Sequence, residues 1–145
     1  MTASERPAVV SEWESAQKVQ ISVDLITAAK QELAFLAIVD GTPALKSLQV
    51  LNLSVIRYLS CWLPLPNKYT PSHLLQPPLD CAWVWHCHKL NPVQYAKDCH
   101  QLFGKLVDVG GTCPNTTDVE LDINTWARAF PDVSYHFVRA GDIAP

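Results

Sequence analysis

The 145-residue sequence lacks the features that define several classes of protein. It has no basic excess, since 11 Lys and Arg stand against 14 Asp and Glu and give a net charge of −3. A sequence-independent nucleic-acid binder usually carries a basic stripe, so we expect no nucleic-acid partner. No apolar run reaches the roughly 18 residues that a membrane helix needs, and the first residues lack the apolar stretch of a secretory signal. These absences predict a cytoplasmic protein with no membrane partner.

Cysteine usage excludes a disulfide scaffold and the common zinc motifs. The number of cysteines is odd, and no two of them form a CxxC pair. Neither HExxH nor any other standard metal-binding spacing is present. We therefore predict buried, unpaired thiols rather than a disulfide framework.

Helical periodicity with start and stop signals predicts most of the fold. Ser22 is expected to cap a long helix that ends at Val39. Thr42-Pro43 then opens a second helix, with Thr42 as the N-cap and proline at the first helical position. That helix should run to about Leu63, and because it is apolar on nearly every side, we predict that it lies at the centre of the domain.

Three further helices follow. Their predicted limits are residues 81–90 capped by Asp80, residues 92–104 capped by Asn91 and ended by Gly104, and a last helix from Thr116 or Thr117 to about Phe130. The prediction is an all-α protein with one domain of five or six helices over residues 11–131. A disordered leader is expected over residues 1–10 and an extended C-terminal arm over residues 132–145.

One segment carries most of the residue types that perform chemistry. Between Asp80 and His88, nine positions contain two Trp, two His, two Cys and one Asp. Asp98-Cys99-His100 follow in the next predicted helix. At about 100° per residue, a helix places His86 and His88 roughly 200° apart, so the two cannot enter one small pocket. On the same wheel, Cys81, Val84, Trp85 and His88 share one side, and Ala82, Trp83 and His86 lie on another.

This segment resembles a known plant family. Asp80-Cys81-Ala82-Trp83-Val84-Trp85-His86-Cys87-His88-Lys89-Leu90-Asn91-Pro92, with Tyr95 and Asp98-Cys99, is similar to the N-terminal domain of the glycine-rich domain-containing (GRDP-like) proteins. Further similar stretches are residues 21–25, 57–65 and 126–131. The resemblance implies a role in plant growth or stress responses, and it implies no settled biochemical activity.

Three departures from the family pattern matter. Ala82 stands where the family has an acidic residue, which could pair with His86 one turn later. The sequence of residues 41–55 also differs from the family pattern. The chain is also expected to lack the C2-like, glycine-rich and RNA-binding parts of longer relatives. Because Ala82 removes the partner of His86, we rank His88 above His86 as the functional histidine, and an altered site there would have more room.

The residues themselves favour small-molecule chemistry without a cofactor. Histidine titrates near neutrality, and a carboxylate can orient it as a general acid or base. The predicted catalytic residues are His88, His86, Asp80 and Asp98. The predicted substrate-binding residues are Arg57, Tyr58, Trp62, Trp85 and Tyr95. The reaction class would be an isomerisation, a cyclisation or an addition–elimination, although aromatic residues at helical spacing are more often core than pocket.

Three alternatives remain open from the residues alone. The motif could be a stiff helix junction in a non-catalytic module that binds a protein partner. A zinc ion could be held by His88 and Cys81 together with Asp98 or Cys99, because imidazole, thiolate and carboxylate are good zinc ligands. Arg57 lies in an otherwise apolar helix and needs an acidic partner, for which Asp80 and Asp98 are the candidates. That pair would be either structural or an anchor for a substrate carboxylate.

Overall fold

The computed structural model describes residues 12–19, 21–68, 75–107 and 119–143, in which all regular secondary structure is helical and no strand occurs. The predicted all-α class is confirmed. We number six α-helices in chain order as α1 Leu25–Asp40, α2 Leu48–Arg57, α3 Leu65–Lys68, α4 Leu79–Lys89, α5 Pro92–Phe103 and α6 Val119–Ala129. Within the described ranges, no helix combines the length and the apolar character needed to cross a membrane. The predicted leader, over residues 1–10, and the caps Thr116 and Thr117 lie outside the described residues.

The chain divides into two compact units, residues 1–30 and residues 31–145. In the first, residues 12–16 are helical, and Asp24 caps α1. Its Oδ1 accepts hydrogen bonds from the backbone N–H groups of Ile26 and Thr27, at 3.0 and 3.1 Å. The cap is therefore Asp24 and not the predicted Ser22, because the aspartate satisfies two of the free N–H groups at the start of the helix. The domain limits at residues 10 and 131 stay predictions.

The helix predicted from Thr42 to Leu63 is present but interrupted. Pro43–Lys46 form a 3-10 turn, and Ser47 has extended backbone angles before α2 begins. Thr42 makes no capping bond; its hydroxyl donates to the carbonyl of Ile38 at 2.7 Å and accepts from the N–H of Gly141 at 3.0 Å. Thr42 thus holds the predicted N-cap position with Pro43 after it, but its hydroxyl joins α1 to the C-terminal segment instead of capping the turn.

After α2, the helix widens into a π-helix over Tyr58–Trp62, in which the N–H of Leu63 bonds to the carbonyl of Tyr58 at 2.8 Å. Tyr58, Cys61 and Trp62 are buried there, whereas Leu59 is exposed. Burial of α2 itself is one-sided, since only Val50 and Ser54 are buried. Although apolar residues lie on nearly every side of α2, the described residues bury only one side of it.

Helix α4 separates two hydrophobic clusters in the unit formed by residues 31–145. One side contributes Cys81 and Trp85 to the first cluster, which also contains Tyr58, Trp62, Tyr95, Cys99 and Trp126. The other side contributes Ala82, with Trp83 packed alongside, to the second cluster, which contains Phe35, Val39, Leu45 and Val138. This division matches the faces read from the helical wheel, and it makes α4 the helix that lies between the two cores.

The limits of α5 are as predicted. Asn91 is the N-cap, its side chain accepts from the N–H of Gln94 at 3.3 Å, and Pro92 holds the first helical position. The helix ends at Phe103, and Gly104 follows with a left-handed φ of 71°. Proline at the start and glycine just past the end is the usual asymmetry of helix termini.

The C-terminal segment, residues 130–143, has no regular secondary structure. It is held at both ends by helices that are distant in sequence. Arg57 binds the carbonyls of Ser134 and Tyr135 at 2.8 and 3.0 Å, and the N–H of Ala44 bonds to the carbonyl of Asp142 at 3.0 Å. Between these anchors, Val138 is buried in the second cluster.

We expect Gly104→Ala to lower the free energy of unfolding by about 1 kcal/mol, because alanine is strained at a left-handed φ. No atom lies within 4 Å of the added Cβ, so the loss is one of backbone conformation and not of space. Gly104→Asn should lose less, since asparagine tolerates this conformation better. Chemical denaturation measures both variants, and equal losses for Ala and Asn would contradict the backbone explanation.

Candidate functional site

The structure places the two motif histidines on opposite sides of α4. His88 faces the first cluster, where its ring meets Tyr58 and Tyr95 edge-on with centroids 5.9 and 4.9 Å away. His86 faces the second, where it stacks on Trp83 at 5.7 Å and meets Phe35 at 5.5 Å. As the helical wheel predicted, they do not enter one pocket.

His88 is bonded through both ring nitrogens. Nδ1 lies 2.9 Å from the hydroxyl of Tyr58, and Nε2 lies 3.0 Å from Oδ2 of Asp98. Hydrogen bonds from Gln94 and from His88 hold the pKa of Asp98 below its usual range, so this carboxyl is ionised at neutral pH and can only accept. Nε2 therefore donates to Asp98, and the Tyr58 hydroxyl donates to Nδ1. We call this Tyr58–His88–Asp98 chain the histidine bridge.

The histidine bridge connects three helical segments. Tyr58 begins the π-helix, His88 lies in the last turn of α4 and Asp98 lies in α5. Burial raises the pKa of the Tyr58 phenol well above its ordinary value, so the hydroxyl stays protonated and remains a donor. An oriented imidazole of this kind has the form of a general base, but its acceptor nitrogen is already occupied by a buried phenol.

The predicted aromatic residues pack around this bridge as core. Trp62 is fully buried and meets Trp85 with ring centroids 5.5 Å apart. The indole N–H of Trp85 donates to the hydroxyl of Tyr95 at 2.9 Å, and that hydroxyl donates to the carbonyl of Val107. The polar atoms of Trp85 and Tyr95 are thus engaged by other protein groups, as those of buried Trp and Tyr usually are, whereas the buried Nε1 of Trp62 has no partner among the described residues.

Asp80 and Arg57 form a separate buried ion pair. Nε of Arg57 donates to Oδ2 of Asp80 at 2.7 Å, and the Asp80 side chain is fully buried. Burial raises the pKa of Asp80, and the hydrogen bond and charge of Arg57 act against that rise. The guanidinium also lies 5.2 Å from the ring centroids of Trp126 and Phe137. Of the two predicted partners of Arg57, the structure selects Asp80.

This pairing changes two predicted roles. Asp80 is not the N-cap of α4, because Pro78 holds that position. Asp80 also precedes His88 by eight residues, which is about 12 Å along a helix, so it does not orient that histidine. His86 instead has Glu32 as its acidic neighbour, with Nδ1 and Oε1 3.4 Å apart. The structure brings His88 and Asp98 together and separates Asp80 and His86 from them.

The candidate zinc ligands are not grouped as a site. Among the residues that the structure describes, no three His, Cys, Asp or Glu side chains are arranged to hold a metal ion. Cys81 and Cys99 are fully buried and both are free thiols, and His88 has no unoccupied ring nitrogen. Burial also raises the pKa of Cys81, which disfavours the thiolate that zinc requires.

A cleft of about 240 Å³ lies on the other side of α4, at Ala82. We call it the Ala82 cleft. Its inner wall is formed by the buried residues Gln76, Pro77, Ala82 and Val138, together with the partly buried Ile38, Leu79 and Tyr135. Its mouth is formed by three exposed residues of the C-terminal segment, His136, Arg139 and Ala140. None of the four predicted catalytic residues lines it.

Sequence reasoning missed this cleft for a clear reason. Its walls come from three stretches, residues 38, 76–82 and 135–140, which are distant in the sequence and share no motif. The one available signal was Ala82, a small residue where the resembling family has an acidic one.

A second cleft, of about 400 Å³, lies between α2 and the C-terminal segment. Most of its lining is exposed and Ile143 is 83% accessible, so it is an open groove.

Loss of the buried ion pair should be costly. Arg57→Met leaves the Asp80 carboxylate buried without its cation, so we expect a loss of about 3–5 kcal/mol in the free energy of unfolding at pH 7. Without Arg57 the folded-state pKa of Asp80 rises further above its unfolded value. The protonated form is then favoured by folding, so the deficit should be smaller near pH 4 and grow as the pH rises.

A surface pair provides the control for this variant. Lys46 and Asp40 form an ion pair of 2.9 Å in which both side chains are mostly exposed. Lys46→Met should leave the melting temperature nearly unchanged, since exposed pairs contribute little. A deficit in Arg57→Met that matches this control, or that is the same at both pH values, would contradict the role given to the buried pair.

The histidine bridge makes a second prediction about stability. His88→Ala leaves the buried Tyr58 hydroxyl without its acceptor, which should lower the free energy of unfolding by about 1–3 kcal/mol. The exposed His100 provides a matched control, His100→Ala, that should have little effect. The double variant His88→Ala/Tyr58→Phe should lose less than the sum of the two single changes. Wild-type stability in His88→Ala would instead favour a catalytic histidine, which folding does not need.

Comparison with known proteins places the chain in a family. The model for glycine-rich domain-containing protein-like proteins matches residues 2–98. Glycine-rich domain-containing protein 1 of Arabidopsis thaliana is 46% identical over 132 residues, which cover 86% of this chain and 16% of that protein. Glycine-rich domain-containing protein 2 of the same plant is 43% identical over 145 residues, covering 92% and 18%. The chain thus spans less than a fifth of either relative, and no solved structure matches it. On this evidence the chain belongs to the glycine-rich domain-containing protein-like family.

Proposed function

We propose that this domain binds a small, mainly apolar molecule in the Ala82 cleft. The proposal depends on one observation at the inner end of the cleft. There, Gln76 is buried and its Oε1 has no hydrogen-bond partner among the described residues. A buried acceptor without a partner costs about 1–3 kcal/mol, and such groups in native proteins need an explanation. A ligand that donates a hydrogen bond to Gln76 would supply one.

The size and lining of the cleft agree with such a ligand. An apolar cavity of roughly 150 Å³ is sufficient for benzene, so 240 Å³ accommodates a ring with a short substituent. Ile38, Leu79 and Val138 provide an apolar wall, and a few polar groups stand at the two ends. Small-molecule sites usually have this composition.

The acid–base hypothesis does not fit this cleft, because none of the predicted catalytic residues lines it. His88 and Asp98 are an oriented pair, yet the imidazole's acceptor nitrogen is bonded to Tyr58 and the pair does not line the cleft. Of the two motif histidines, His86 lies on the correct side of α4 but stacks between aromatic rings beside Glu32. We therefore propose binding without proton transfer by these histidines, and we assign the motif the role of a helix junction.

A neutral probe tests the binding proposal. 3-Phenylpropanamide has an aromatic ring, a short chain and N–H donors for Gln76, and a molecule of this size should bind with a Kd on the order of 1 mM. Ala82→Leu should fill the cleft and weaken binding by roughly tenfold or more, as a loss of about 1.4 kcal/mol implies. Ligand-observed NMR measures the affinity, and thermal melting confirms that the variant is folded.

Two further variants keep this experiment decisive. Ala127 is exposed on α6 and does not line the cleft, so Ala127→Leu is the matched control and should bind as the wild type does. If Ala82→Leu does not fold, Ala140→Leu narrows the exposed mouth instead. No binding by the wild-type protein, or equal affinity in the cleft-filling and control variants, would overturn the proposal.

A further inference from the structure

Resting on the binding function proposed above, we infer that the ligand of the Ala82 cleft is an apolar monocarboxylate whose carboxylate is held by Arg139 at the mouth. The first support is the charge of the lining. Arg139 is the one permanently charged residue among the described residues that line the cleft, and none of them is acidic. An apolar wall with a single cation at its edge complements an apolar molecule with a single negative charge.

The backbone of Arg139 is fixed at the mouth. Its N–H donates to Oδ2 of Asp142 at 2.7 Å, and the N–H of Asp142 donates back to the carbonyl of Arg139 at 3.1 Å. This turn is itself anchored to the helices, because Gly141 donates to the Thr42 hydroxyl and Ala44 donates to the carbonyl of Asp142. The start of the Arg139 side chain is thus held beside the cleft.

The guanidinium of Arg139 is available to a ligand. Within the described ranges it takes part in no ion pair, and the carboxylate of Asp142 bonds to the backbone of Arg139 rather than to its side chain. Arg57 provides the contrast, since each of its three nitrogens donates a hydrogen bond, to Asp80 or to a backbone carbonyl. Of these two arginines, Arg139 is therefore the one that can meet an incoming anion.

The chemistry of the anion follows from the donor. A guanidinium presents two parallel N–H groups that match the two oxygens of a carboxylate. One arginine balances one negative charge, whereas a dianion such as a phosphate monoester would need further cations that the lining does not offer. His136, also at the mouth, adds an imidazole beside Arg139. A monocarboxylate whose mainly apolar body carries one hydrogen-bond donor for Gln76 is the class that fits both the mouth and the inner wall.

Two probes with the same carbon skeleton, which differ in charge and in N–H donors, test this inference. 3-Phenylpropanoate carries the carboxylate, and 3-phenylpropanamide is its neutral counterpart with donors suited to Gln76. For the wild-type protein we expect the carboxylate to bind roughly five- to tenfold more tightly, because a hydrogen bond to a charged group outweighs a neutral one. The advantage should shrink at high salt, since the mouth is exposed.

Variants of two arginines test whether Arg139 causes this preference for the carboxylate. Arg139→Gln should abolish the preference for the carboxylate and leave amide binding unchanged. Arg128→Gln, an exposed arginine on α6 that does not line the cleft, is the matched control and should keep the preference. Both positions are exposed, so neither change should affect folding, which thermal melting verifies.

The outcomes separate the two proposals. Equal wild-type affinities for the two probes, or a preference that survives Arg139→Gln, would overturn the assignment of a monocarboxylate while the binding function stands. Absence of binding by either probe would overturn both. A preference for the amide would show that Gln76, and not Arg139, selects the ligand, and it would also overturn this inference.

Discussion

The buried ion pair between Arg57 and Asp80 joins three segments that are far apart in the sequence. Asp80 is fixed in the first turn of α4, Arg57 ends α2, and the other two nitrogens of Arg57 donate to the carbonyls of Ser134 and Tyr135. A charge this deeply buried is tolerated only when paired and hydrogen-bonded. The C-terminal segment, which has no regular structure of its own, takes its position from this arrangement, and the mouth of the Ala82 cleft belongs to that segment.

Helix α4 gives the unit its two sides. Because 3.6 residues make a turn, the nine positions from Asp80 to His88 serve two clusters at once. Trp85 and His88 pack into the first, and Ala82 and Trp83 into the second. The dense motif that draws attention in the sequence is thereby explained mainly by packing on both faces. The histidine bridge ties α4 to its neighbours on one side, and the proposed ligand site lies on the other.

The sequence was informative where local rules decide the structure. The cap at Asn91, the stop at Gly104 and the division of α4 into two faces all follow from neighbouring residues. The partner of Arg57 was limited to Asp80 or Asp98, since a buried cation requires a carboxylate. The prediction was incomplete at Thr42, which holds the N-cap position but whose hydroxyl bonds to Ile38 and to the distant Gly141. The cleft could not be predicted, because tertiary packing alone assembles its walls.

Intermolecular nuclear Overhauser effects between 3-phenylpropanamide and the assigned protein would test the central claim most directly. The account predicts contacts from the phenyl protons to the methyl groups of Ala82, Leu79 and Val138, which line the cleft. Contacts confined to the rings of His88 and Tyr95 would contradict it, because they would place the ligand at the histidine bridge on the opposite side of α4.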